Sequence, residues 1–492
     1  SSDLVNEKHL ITGMKDLGGG GLSCVVGEMA LAAGCGADVD VERVPLKEQG
    51  LAPWEIWVSE SQERMMVTCK PENVDKVLGT FAFWDVLATP VAKTIPDPRM
   101  RLFWNGEKIF DMDLEFLTGG PVYVRPYTLP EFPDGSKEKF PDLPGDKEVI
   151  LAMLSDPNVA SKEWAIRQYD HEVRASTVIH PMVGKMNETG PGDASVLMPV
   201  PGRWKGLAAA IGCNPWFTAL DPYNGGMSCI DEACRNIVAV GARPNAFTDC
   251  LNFGNPERPE RLGEFREAVR GLGDMAKGLG IPIPSGNVSL YNETAGGAIL
   301  PTPMILACGL IDDVRRSVTA DMKKEGSCLF LIGDTKREMG GSLLFRKFGG
   351  SDGKVPGVDI PKAKKLMDDL LRAMDSGLVL SCHDCSDGGL AVAVAEMCIS
   401  GGIGAELDLT AMDGADIRVK LYSESNTRWV AEIDGKNAEE FADIMGGGAV
   451  CIGITKGVSL KIKGIRTDIP VSELRKAWND PIWNVMGGSG DE

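Results

Sequence analysis

The chain has 492 residues and carries 51 Lys and Arg against 70 Asp and Glu, a net charge of −19. About three domains fit that length, and 43% hydrophobic with 25% charged residues is the composition of an ordinary globular protein that needs no disulfide staples. The acidic balance argues against nucleic acid or membrane surfaces as partners, no apolar run approaches the roughly 20 residues that span a bilayer, and thirteen scattered cysteines read as reduced cytoplasmic thiols.

The opening Ser1-Ser2-Asp3-Leu4-Val5-Asn6-Glu7 has no basic stretch leading into an apolar one, so it is not expected to be a secretion signal; the missing initiator Met points to a chain that was cut or processed. Next comes Asp16-Leu17-Gly18-Gly19-Gly20-Gly21-Leu22, a carboxylate ahead of a glycine loop, and a helix that ends at Gly34. Glycines there permit either an anion cradle at the helix N-terminus, with Asp16 holding Mg²⁺, or only close packing. Glu60-Ser61-Gln62 follows, then a short strand from Arg64. From 126 to 146 the chain is rich in Pro and charge with no hydrophobic period, and reads as a surface linker. Helices over 230–240 and 264–277 each lead into a strand, the first over 245–251 and the second opening the Ile281 run. Gly286-Asn287-Val288-Ser289 is expected to follow the second strand, either as a turn or as a ligand loop. Asp249 is expected at the end of the first, as a cap or a ligand. An apolar run over 304–311 closes this region.

The segment 379–408 then repeats 11–40. At an offset of 368, Asp16 matches Asp384, Gly20-Gly21-Leu22 matches Gly388-Gly389-Leu390, and Glu28-Met29 matches Glu396-Met397. Ser59-Glu60-Ser61-Gln62-Glu63-Arg64 matches Ser423-Glu424-Ser425-Asn426-Thr427-Arg428 at an offset of 364. Ordered blocks at nearly constant offset imply two copies of one domain flanking a different one. The pair Cys382-x-x-Cys385 reads as buried thiols, because zinc or redox chemistry would want further ligands. The four histidines, at 9, 171, 180 and 383, make no Ser–His–Asp or Cys–His set. His171 reads as a structural hydrogen-bonding residue.

Those strings, with Arg167-Gln168-Tyr169-Asp170-His171, Thr248-Asp249-Cys250-Leu251-Asn252-Phe253-Gly254-Asn255-Pro256 and Gly286-Asn287-Val288-Ser289-Leu290-Tyr291-Asn292, resemble the synthetase subunit of the phosphoribosylformylglycinamidine synthase family. The resemblance covers essentially the whole chain in order. It implies an α/β fold with α+β layers, of the aminoimidazole-ribonucleotide-synthetase-like superfamily, built as tandem A–B pairs. The chain then reads as B1 over 1–125, a Pro-rich linker over 126–160, A2 over 161–314, and B2 with a C-terminal tail over 315–492. The first A domain, with the family's catalytic histidine, is expected ahead of residue 1. No catalytic residue is therefore expected here, and the fragment alone is expected to be inactive.

By the same resemblance, Asp16 and Asn287 match magnesium ligands, Asp249 and Gly286 match ATP contacts, and Glu60, Ser61, Gln62 and Ser289 match contacts to formylglycinamide ribonucleotide. Asp221 and Asn236 become candidates for a second, non-catalytic nucleotide site. The implied reaction is ATP-dependent amidation of that ribonucleotide through an imidate phosphate that ammonia attacks. The implied partners are a separate glutaminase subunit and a small bridging subunit. Two other readings stand beside this one: another kinase or synthetase of the superfamily, and a non-catalytic nucleotide-binding scaffold.

Overall fold

Short apolar runs broken by glycine turns give this chain many brief strands and few long helices. The computed structural model describes Val5 and residues 8–487, except 121, 130, 187, 413 and 415. The rest of the opening heptapeptide and Pro130 of the Pro-rich stretch lie outside the described residues. Two compact units emerge, Ser1–Val124 and Arg125–Glu492.

The N-terminal unit runs β1 (Gly13–Asp16), α1 (Leu22–Ala32), β2 (Gly36–Asp40), α2 (Pro53–Val58), β3 (Met65–Thr68), α3 (Val74–Phe83), β4 (Ala92–Ile95), β5 (Arg99–Trp104), β6 (Glu107–Asp113) and α4 (Leu114–Gly119). β1 and β3 form an antiparallel pair, and a second sheet has the order β4-β2-β5-β6. Leu22, Val25, Val26 and Ala30 make one face of α1, at helical spacing. They pack with Val39, Met100, Leu102 and Leu114 in the core of this unit.

The C-terminal unit begins with the Pro-rich stretch, which has no helix or strand among its described residues up to 145. The expected linker ends there: Asp146–Leu154 is a helix, α5, whose Val149, Ile150, Met153 and Leu154 are fully buried. These four recur at helical spacing, the signal that composition masked. There follow α6 (Glu163–Ile166), β7 (Thr177–Ile179), β8 (Met182–Lys185), β9 (Glu188–Pro191), β10 (Ser195–Leu197), β11 (Gly206–Gly212), α7 (Pro215–Leu220), α8 (Pro222–Ala239), β12 (Arg243–Asn252), α9 (Pro259–Leu279), β13 (Ser285–Ser289), β14 (Glu293–Thr294), β15 (Gly297–Ala298) and β16 (Thr302–Ile311). The main sheet here has the order β13-β12-β16-β11-β10-β7. The buried face of α8 covers it, and α9 packs against α8.

The remainder comprises β17 (Cys328–Ile332), α10 (Leu343–Phe348), α11 (Ile360–Asp375), β18 (Val379–Asp384), α12 (Gly389–Gly401), β19 (Ala405–Leu407), α13 (Ile417–Tyr422), β20 (Trp429–Ile433), α14 (Ala438–Met445), β21 (Ala449–Thr455), β22 (Ser459–Ile462), β23 (Asp468–Pro470) and α15 (Val471–Met486). Its sheet has the order β18-β20-β17-β21-β19-β22-β23. One continuous core runs from β11, β12 and α8 to α11, β18 and β20, so this sheet and the preceding one belong to a single compact unit. Among the described residues no helix is long and apolar enough to cross a membrane.

Candidate functional site

Asp16 is the last residue of β1 and is exposed. Leu17 returns its N–H to the Arg64 carbonyl at 3.0 Å, which pins the glycine loop to the 59–64 bend. Gly20 and Gly21 take φ of 75° and 55°, where side chains are strained. A Cβ on Gly21 would stand 1.9 Å from the Ser59 carbonyl oxygen, so only glycine fits. The Gly20 N–H donates to Glu60 Oε1 at 2.8 Å, and Ser59 and Ser61 hydroxyls meet at 3.1 Å. Arg64 ties the bend by donating to the Ser59 and Ser61 carbonyls. Glu60, Ser61 and Gln62 are exposed and form a bend between α2 and β3, not strand.

The second copy repeats this bond for bond. Cys385 N–H reaches the Arg428 carbonyl at 3.0 Å and Gly388 N–H reaches Glu424 Oε1 at 2.7 Å. Ser423 and Ser425 hydroxyls meet at 3.1 Å, and Arg428 donates to the Ser423 and Ser425 carbonyls. Its environment is reversed, because Ser423 to Arg428 are all buried. Burial, with Asp387 nearby, pushes the Glu424 carboxyl up to about 8.

Asp384, the match of Asp16, is clamped. Arg235 on α8 donates to its Oδ2 at 3.2 Å and pairs also with Asp231. Asp231 in turn accepts from the Thr427 N–H at 2.7 Å and hydroxyl at 2.6 Å. His383 lies between Asp193 at 2.9 Å and Glu396 at 3.1 Å. Burial alone would lower its pKa, but those two carboxylates override it and hold the imidazolium well above its usual range. Asp193, His383 and Asp384 offer ligand atoms within 4.8 Å of one another, yet both histidine nitrogens and Asp384 are already engaged. In the first copy, Lys15 and Glu28 occupy the positions of His383 and Glu396 and pair at 2.8 Å, both well exposed.

The remaining candidates gather on two parallel strands. β12 and β13 pair with Asp249 opposite Gly286 and Cys250 opposite Asn287. The expected geometry changes here: Asp249 lies within β12 rather than at its end, and Gly286 to Ser289 are themselves strand β13, with Ile281 to Pro284 irregular before it. Two prolines in that apolar run remove the N–H groups a ladder needs. The Asp249 carboxylate lies over Gly286, where a Cβ would come within 2.3 Å of Oδ1. Burial raises its pKa, and the Asn287 backbone N–H opposes that by donating to it. β13 is an edge strand and Gly286 and Asn287 are exposed. Ser289 donates to Asn292 Oδ1 at 3.2 Å. The arrangement offers an anionic oxygen, a side-chain amide and a glycine through which a ligand can approach the backbone.

Asp221 and Asn236 do not come together. Asp221 caps α8, accepting from the Asn224 N–H at 3.1 Å, a bond worth about 1 kcal/mol. Asn236 lies fifteen residues on, about 22 Å along the helix, and donates to the Ile211 carbonyl at 3.3 Å. Cys382 and Cys385 are buried free thiols, with Cys385 pushed up to about 11 by burial. His171 Nδ1 lies 3.2 Å from the Tyr169 carbonyl. The Arg235 and His383 ion pairs had no signal in the sequence, since their partners lie up to 190 residues apart. The repeat did mark Asp384 and Glu396.

Comparison with known proteins adds the lineage. The family model of the AIR synthase related protein C-terminal domain matches residues 2–105 and 324–460, and that of the N-terminal domain matches 191–311. Phosphoribosylformylglycinamidine synthase subunit PurL of Thermoplasma acidophilum is 40% identical over 96% of this chain and 62% of its own length. That of Methanothermobacter marburgensis is 40% identical over 98% and 66%. The chain thus spans less than two thirds of the length of these curated relatives. Among solved structures, Thermotoga maritima PurL complexed with AMPPCP aligns with a TM-score of 0.64 at 22% identity, covering 92% of this chain and 66% of that one. The same protein complexed with FGAR gives 0.63 at 22%, covering 92% and 63%. The PurLQS structure from that organism gives 0.64 at 21%, covering 92% and 65%. At that identity these structures establish the shared fold.

Proposed function

The chain belongs to the AIR synthase related proteins, and on that premise we propose that it is the larger part of a PurL-type synthetase, which converts formylglycinamide ribonucleotide to the amidine with ATP and glutamine-derived ammonia. The observation that carries this reading is the Asp249–Gly286–Asn287 arrangement on the open edge of β12 and β13. It agrees with relatives named for that activity and solved with AMPPCP and FGAR.

Asn287 and Asp16 would each offer an oxygen to Mg²⁺, a hard cation that takes carboxylate and amide oxygens. Asp249 and Gly286 contact ATP. Glu60, Ser61, Gln62 and Ser289 contact the ribonucleotide. Such a metal, when bound, would supply charge neutralisation for phosphoryl transfer. The protein's share is to fix donors where charge develops. The domain reading B1, A2 and B2, over 1–125, 161–314 and 315–492, stays part of this proposal, supported by one family model matching both ends of the chain. So does the need for a first A domain, a glutaminase and a small bridging subunit, a cytoplasmic setting, and inactivity of this stretch alone. Asn236 remains a candidate for a second nucleotide site, whereas Asp221 is occupied as a helix cap.

The test is turnover of formylglycinamide ribonucleotide with MgATP and ammonia by the protein at its relatives' full length. Asn287→Ala and Asp16→Ala are expected to lower kcat more than about tenfold with unchanged melting. Parental rates in both would remove them from the metal shell.

A further inference from the structure

All thirteen cysteines are free thiols. Most serve as small apolar side chains, but two of them are held together by the backbone around them. Cys213 directly follows β11, and Cys229 lies inside α8. Gly212 lets the two segments meet. A Cβ there would stand 2.2 Å from the Cys229 carbonyl oxygen and 2.6 Å from the Ala233 nitrogen, so only glycine allows the end of β11 to lie on this turn of α8. Beside it the Cys213 N–H donates to Glu232 Oε2 at 2.9 Å. Glu232 stands three residues past Cys229, on the same face of the helix. The two thiols hydrogen-bond each other, and the Asn214 N–H donates to the Cys229 sulfur. Their surroundings differ, since Cys213 is half-buried and Cys229 has no exposed surface.

We propose that Cys213 and Cys229 form a dithiol oxidation site for small hydroperoxides, in which Cys213 takes the oxidant and Cys229 closes a disulfide onto it. A pair of this kind needs one thiol that solvent reaches and a second already in contact with it. The hydrogen bond from Cys229 holds the Cys213 thiol below its usual range, outweighing burial and the Asp387 carboxylate, which both push it up. That same bond, with burial, pushes Cys229 well up. Cys213 is therefore the nucleophile and Cys229 the resolving thiol.

Cys213, having given its proton to solvent, attacks one oxygen of hydrogen peroxide. An S–O bond forms, the O–O bond breaks, and hydroxide leaves and regains a proton as water. The Cys229 sulfur then attacks the Cys213 sulfenic acid. The S–S bond forms, the S–O bond breaks, and the departing hydroxide takes the Cys229 proton as a second water. Two thiols are oxidised and one peroxide is reduced to two waters. The sulfurs need only close from hydrogen-bond contact to about 2 Å. The new bond would join the segment after β11 to the helix that carries Asp231 and Arg235.

This inference goes beyond the proposed activity and does not rest on it. The folded chain is treated with hydrogen peroxide, quenched with excess alkylating agent during unfolding, and mapped by peptide mass spectrometry. A cross-linked peptide pair joining Cys213 to Cys229 is expected. It should disappear on reduction with dithiothreitol, and should form at least about tenfold faster than Cys234, a buried thiol of the same helix, is oxidised. Cys229→Ser is expected to leave a Cys213 sulfenic acid that a cyclic 1,3-dione traps, and Cys213→Ser to leave Cys229 reduced. Oxidation of the exposed Cys24 and Cys451 with Cys213 and Cys229 both still reduced would overturn the proposal. So would a Cys328–Cys451 disulfide in their place, since those thiols also touch, across β17 and β21. A dione adduct on Cys213 of the parental chain, with no cross-link, would remove Cys229 from the site and overturn it equally. Mapping of the parental chain decides even if a variant fails to fold.

Discussion

The glycine loops at Asp16 and Asp384 share a backbone and differ in everything around it. Both use two glycines at positive φ, a glutamate accepting from the first, and an arginine folded back on the bend. In the first copy Asp16 and Glu60 are exposed and Arg64 is half-buried. In the second their counterparts are buried under α8, and Arg235 neutralises the aspartate. The motif is therefore a structural device first, since it survives where nothing can reach it. Only the first copy leaves its loop aspartate, Asp16, exposed and without an arginine clamp among the described residues.

Matched substitutions sharpen that contrast. Asp384→Ala strips a buried partner from Arg235 and is expected to cost about 3–5 kcal/mol. Asp16→Ala, on an exposed strand end, is expected to stay within about 0.5 kcal/mol. Denaturant titration of both variants checks this, and equal losses would mean that the two loops do the same job.

The pH response should also belong to the second copy. His383 binds its proton more tightly folded than unfolded, so its contribution is complete below pH 6.5 and is lost as the pH climbs through the raised folded value. Glu424, raised from 4.5 to about 8, acts in the same direction across that interval. The C-terminal unit should therefore lose stability from mildly acidic to alkaline pH, by on the order of 1–3 kcal/mol. His383→Gln should flatten the upper part of the slope. Melting curves at several pH values decide, and a slope of opposite sign would remove the imidazolium from the network.

The smallest effect concerns His9. Its left-handed φ of 52° sits where the other copy has Gly377. His9→Gly is expected to stabilise the N-terminal unit by about 1 kcal/mol, and a loss of stability would mean that the imidazole holds the turn.

Much of this was legible from residue types alone. Gly20, Gly21, Gly388 and Gly389 are bound to their positions by backbone conformation and by the carbonyls beside them, so they kept register across the repeat and exposed it. Helices α1 and α9 follow apolar spacing and lie within about five residues of expectation, whereas α8 starts at Pro222, well ahead of the expected 230. Two things stayed hidden. α5 sits in a stretch whose composition resembles a linker, and only its four buried apolar residues reveal it. The Arg235 and His383 networks join side chains from four distant segments, which no local pattern encodes. The position of Asp249 inside its strand was missed for a related reason, since strand ends depend on the partner strands β13 and β16.

The central claim is that the open edge at Asp249, Gly286 and Asn287 binds the metal nucleotide, while the buried loop at Asp384 only holds the fold. Calorimetric titration of Mg²⁺ with a non-hydrolysable ATP analogue into the protein measures this directly. Asn287→Ala and Gly286→Ala are expected to weaken binding at least about tenfold, or 1.4 kcal/mol, and Asp384→Asn is expected to leave Kd unchanged. Parental affinity in the first two variants, with binding lost in the third, would contradict it.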